Sequence, residues 1–158
     1  MANLVYNGAK AGFMGVPTSG TPAANISYTG DTLKVMLLGT ATPYTPDPDH
    51  RFVSSVVASE LSVSGYTGGF GGAGRKALAS RTLAADDAND RALADAADIT
   101  WTALGSGGTI AYAVLFKELS SDALSPLICL FDVTDTPTNG GDITIVFSSS
   151  PSALISLT

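Results

Sequence analysis

A chain of 158 residues, 45% hydrophobic and only 14% charged against a usual ~25%, can bury a core but has few charges to cover its surface. Eight Lys and Arg against fourteen Asp and Glu give a net charge of −6, and Arg75–Lys76 is the only adjacent basic pair. Phosphate recognition needs clustered positive charge, so nucleic acid is excluded as an expected partner.

Enzymatic chemistry is short of parts. Catalysis at neutral pH calls for an activated nucleophile, a tuned acid or base, or a metal, and the chain holds one His and one Cys. The expectation is a protein that holds rather than transforms, with part of its apolar surface meeting a partner or further copies of itself. Cys129, between Ile128 and Leu130, has no partner for an intrachain disulfide and reads as a small buried hydrophobe. The N-terminus lacks the basic and apolar regions of a signal peptide, and no apolar run approaches the ~20 residues that span a bilayer. Synthesis in a cytoplasm and no membrane partner are therefore expected.

In chain order, Val5, Tyr6, Ala9, Phe13 and Val16 fall near helical spacing and predict a short helix over 5–16, weakened by Gly8, Gly12 and Gly15. Residues 17–32 read as a loop. Alternation of Leu33, Val35 and Leu37 with Lys34, Met36 and Leu38 predicts a strand over 32–38. Pro43, Pro46 and Pro48 forbid a ladder across 42–49. Asp49 is the expected N-cap of a helical turn over 49–54. Residues 56–63 have strand composition, and the Gly-rich stretch 65–74 reads as a mobile loop. Alternation predicts further strands over 75–85, 91–95 and 99–104, with an acidic turn at 86–90 and another turn at 105–108. The last third reads as core: strands at 109–117, 126–133, 143–147 and 154–157, with a turn at 139–142. Many short strands separated by turn residues indicate a mainly β fold, an antiparallel β-sandwich or partly open barrel with a short N-terminal helix. Residues 1–30 form an N-terminal segment of the same unit as the β domain at 31–158.

Each candidate site has a plain structural reading beside the chemical one. Asp47, Asp49 and His50 resemble a ligand set, but no second His or Cys joins them, and capping with loop packing is the expectation. Asp86, Asp87, Asp90, Asp95 and Asp98 form the densest acidic run, yet lack the Gly and closing Glu of a calcium loop. Gly74-Arg75-Lys76-Ala77 fails the Gly-Lys-Ser/Thr ending of a phosphate loop. Trp101, Tyr6, Phe13, Tyr112, Phe116, Phe131 and Phe147 are read as core or interface packing. No catalytic, cofactor-binding or metal residue is assigned.

The ordered pattern resembles a group of small structural proteins of tailed-bacteriophage virions. It runs through Tyr6-Asn7-Gly8-Ala9-Lys10 with Phe13, residues 31–38, and residues 44–52 from Tyr44 to Phe52. It continues through 74–79, Ile99-Thr100-Trp101, 113–117, Ser125-Pro126-Leu127-Ile128, 139–145 and Leu154-Ile155. The resemblance implies a virion component, foremost a cement or decoration protein on the outer head surface that bridges major capsid protein subunits. It also implies a homo-oligomer, a trimer ahead of a dimer. A minor tail, tail-completion or head–tail connector protein is the alternative. A host- or carbohydrate-binding module comes next, hinted at by Tyr44 and Tyr66 beside loop carboxylates. The regions expected to reach a partner are 1–30 and 65–74.

Overall fold

The computed structural model describes residues 3–15, 25–147 and 155–157. Its centre is a five-stranded antiparallel sheet in the order β1-β8-β7-β2-β3. These strands are β1 (Leu4–Val5), β2 (Leu33–Gly39), β3 (Lys76–Ala77), β7 (Thr109–Lys117) and β8 (Leu127–Pro137). β4 (Thr82–Asp86), β5 (Arg91–Asp95) and β10 (Ile155–Leu157) form a three-stranded sheet in the order β10-β5-β4, and β6 (Ile99–Trp101) pairs with β9 (Ile143–Ile145). Among the described residues, one helix, α1 (Asn7–Phe13), and two short 3-10 turns complete the elements. The fold is mainly β with antiparallel sheets that do not close into a barrel.

β7 is rich in β-branched and aromatic residues, which fit a pleated surface buried on both sides. Its neighbours align Met36 with Val114 and Val114 with Leu130, a row that Leu4 extends. Met36 and Leu38 on one face of β2, and Val35 and Leu37 on the other, are all fully buried. The same cluster takes in Tyr6 and Ala9, Val53 from the first 3-10 turn, Val56 between the two turns, Leu61, Tyr66, Trp101 and Leu104. Ile128 drops out of the pairing between β7 and β8, and its carbonyl accepts the Tyr6 N–H at 3.1 Å. The N-terminal segment thereby becomes part of the sheet edge.

Several sequence expectations are corrected. The helix covers only Asn7–Phe13, because Val5 pairs with Cys129 in β1 and Gly15 adopts a left-handed φ of 77°, a common way to end a helix. Val16 lies outside the described residues, as do 17–24 of the expected loop and Leu154 of the last strand. Asp49 caps no helix; the 3-10 turn Val53–Ser55 starts after Phe52. Residues 56–63 form no strand. Val57–Ser59 is a 3-10 turn, and only Glu60 bridges to Leu38. The run 75–85 is broken into β3 and β4 around Ser80, whose φ is 50°. β6 stops at Trp101, since Ala103 takes a φ of 52°. β8 runs on to Pro137. The turn at 139–142 is present, but it leads into a strand that pairs with β6.

Candidate interaction surface

The groups capable of chemistry are bonded to one another. Tyr44 Oη lies 2.8 Å from His50 Nδ1, and His50 Nε2 lies 3.8 Å from Asp47 Oδ2. Tyr6 Oη follows 3.4 Å from Tyr44 Oη. Asp47 Oδ1 accepts the Asp49 N–H, and Asp49 Oδ1 accepts from the Asn7 amide at 2.8 Å. The Pro-rich segment is thus stitched to the start of α1, where Asn7 N–H also donates to the Pro48 carbonyl. Burial pushes the Tyr6 phenol far up and raises Tyr44, so both remain protonated at neutral pH. The arrangement anchors a loop.

The acidic run points in separate directions. Asp86 accepts from Arg91 Nε at 2.8 Å and from Asn89, and those bonds, Arg91's first, hold its carboxyl below the usual range. Asp95 accepts the Ala96 N–H and Asp98 the Phe147 N–H. Among the described residues no group of three or more His, Cys, Asp and Glu is placed to hold a metal ion.

The Gly-rich stretch is built around a centre that sequence reasoning missed. Arg75 is buried, with Nε donating to Glu60 Oε1 at 2.9 Å and Nη2 to Glu60 Oε2 at 2.8 Å. Nη1 and Nη2 also donate to the two Asp122 oxygens, and the guanidinium lies 5.6 Å from the centre of the Phe116 ring. Burial alone would lower the Arg75 pKa, but the bonds to Glu60 and Asp122 outweigh it and raise it. Glu60 Oε2 accepts the Gly69 N–H, and Glu60 Oε1 accepts from Tyr66, whose hydroxyl in turn accepts the Leu37 N–H. Gly74 contributes its carbonyl to the Trp101 indole at 2.6 Å. The loop expected to be a mobile arm is therefore tied to the core at its base. A Cβ at Gly72 would lie 2.2 Å from the Thr67 carbonyl oxygen, so the wrapping requires glycine there.

Residues 3–15, within the N-terminal region expected to reach a partner, are integrated instead: Tyr6 and Ala9 are fully buried. Tyr66 is buried and Tyr44 packs against His50 and Tyr112, so neither is an outward-facing aromatic platform. Cys129 and Trp101 are buried, as expected for core residues.

Several large apolar side chains face outward. Phe70, at the tip of the tied loop, is 53% exposed, and Val146 beside β9 is 68% exposed. Leu83 on β4 is 57% exposed. Leu83 lines a groove of about 350 Å³ with Phe13, Ile26, Tyr28, Ala92 and Ala94. A second groove, of about 530 Å³, lies between Ile110, Val133 and the β9 residues Ile143 and Ile145.

Comparisons with family models, curated proteins and solved structures find no match to this chain.

Proposed function

We propose that the chain is a structural protein of a tailed-phage virion, of the cement or decoration kind. It attaches to the outer head surface and bridges neighbouring major capsid protein subunits as a homo-oligomer. The observation that carries this reading is the contrast between bonded polar groups and exposed apolar ones. The polar groups suited to chemistry are taken up by bonds to one another, while Phe70, Leu83 and Val146 stand out from tightly bonded elements. Exposed apolar side chains on a rigid frame suit binding to another surface, because little ordering entropy remains to be lost. The motif order from Tyr6 to Ile155 supports the same reading. The function needs no turnover.

The test is to add the purified chain to phage heads that lack it and to map the particles by electron microscopy. Density on the outer shell between capsid subunits, with a higher temperature of genome release, is expected. Density confined to the tail or the head–tail junction would move the chain to the tail or connector class. Absence of binding to any particle would overturn the virion reading.

A further inference from the structure

We propose that β4 is a self-pairing edge: two copies of the chain join antiparallel along β4 about a two-fold axis, with Ala84 facing Ala84 of the partner copy. This deepens the structural-protein reading and rests on it for its place in a virion, although the argument comes from the edge itself.

β4 ends its sheet, with β5 on one side and, among the described residues, no strand on the other. Its five residues pair with β5 in unbroken register from Thr82↔Asp95 to Asp86↔Arg91. Such an edge presents the N–H and C=O groups of alternate residues to any strand that can dock. Proteins usually blunt these edges with Lys, Pro, bulges or shortness. The other long open edge shows that protection. Beyond Leu130, where β1 stops, β8 carries Asp132, Asp135 and Pro137 and pairs irregularly with β7. β1 and β3 are two residues long. The interior of β4, by contrast, is Leu83-Ala84-Ala85, all exposed.

Sequence and charge select a second copy as the occupant. β4 begins just after Arg81 and ends at Asp86, followed by Asp87. The Arg81 guanidinium is held at that end by the carbonyls of Tyr28, Thr29 and Asp31. Antiparallel pairing centred on Ala84 sets Arg81 of each copy beside Asp87 of the other, whereas parallel pairing in the same register sets like charge beside like. Within the strand, Thr82 meets Asp86 of the other copy, giving its hydroxyl a carboxylate acceptor that Arg91 already keeps ionised. Leu83 meets Ala85, which extends the apolar face that Leu83, Ala92 and Ala94 present to the groove. The symmetric contact closes as a dimer, the second of the two oligomeric states that the sequence resemblance implies.

The test is site-directed cross-linking of the full chain. Facing residues of antiparallel strands have Cα atoms about 4.5–5.5 Å apart, inside the ~4.4–6.8 Å window of a disulfide. Ala84→Cys is therefore expected to form a covalent dimer under mild oxidation at least about tenfold faster than Thr82→Cys, whose counterpart lies four residues, about 13 Å, along the strand. Cys129 is buried in every variant, and the wild type sets the baseline. Leu83→Lys, at an exposed position, is expected to weaken the dimer at least tenfold by sedimentation while leaving the circular dichroism unchanged. Equal cross-linking rates for the two cysteine variants, or a monomeric wild type at 100 µM, would overturn the pairing. A cross-linked Ala84→Cys dimer that fails to bind heads supports the pairing and removes the virion reading; heads bound by a chain that shows no cross-link do the reverse.

Discussion

Arg75 is one of eight basic residues, yet it holds two carboxylates that come from 15 positions before it and 47 after it. A guanidinium suits this role because its planar fork meets two carboxylates bidentately, which a lysine ammonium does not. Arg75→Met should therefore destabilise the fold by about 3–5 kcal/mol, since it strands Glu60 and Asp122 in a largely buried setting; urea unfolding at pH 7 measures the loss. Buried acids set a second expectation. Burial raises the Cys129 thiol from near 9 to about 12, and burial with the nearby Asp95 charge raises Tyr28 from near 10 to about 12. Burial likewise pushes Tyr6 and Tyr66 well above the usual phenol range. For each group the folded state keeps a proton that the unfolded chain releases. The stabilising contribution is thus fully present below the unfolded pKa and is lost as pH rises through the folded value. Melting temperatures should stay level to about pH 9 and fall progressively from there toward pH 12; a flat profile would contradict the burial of these side chains.

Among elements, the N-terminal one gains most from the structure. Tyr6 is fully enclosed, β1 seals part of β8, and the bulged Ile128 carbonyl takes its hydrogen from Tyr6. Deleting residues 1–15 should therefore unfold or severely weaken the domain, not free a tail. Tyr6→Ala alone should cost about 3–5 kcal/mol, as truncating a buried aromatic does; thermal melts followed by near-ultraviolet circular dichroism check both. The sequence offered β2, β5 and β7 because residues alternate with period 2 there, and in β7 β-branched and aromatic residues reinforce the pattern. It offered 56–63 wrongly, because valine content says nothing about where backbone groups find partners. Ser59 and Glu60 donate to the carbonyls of Val56 and Val57, three residues back, and only Leu61 reaches the sheet, at the Leu37 carbonyl. The burial of Cys129 and Trp101 could be read from apolar neighbours and alternation. The Arg75 centre could not, since its members are scattered along the chain and leave no local period.

For the whole molecule, a net charge of −6 from few charges leaves any contact with further copies or with the proposed capsid surface to apolar surface and strand edges. Trp101 gives this arrangement a built-in optical probe. It is the chain's sole tryptophan, it is enclosed, and its indole nitrogen is tethered to the carbonyl of Gly74, at the end of the loop that displays Phe70. Excited at wavelengths that the five tyrosines do not absorb, this protein therefore emits from one ring in one enclosed environment. A partner that pulls on the loop tip is expected to shift the colour of that light without any label having to be introduced.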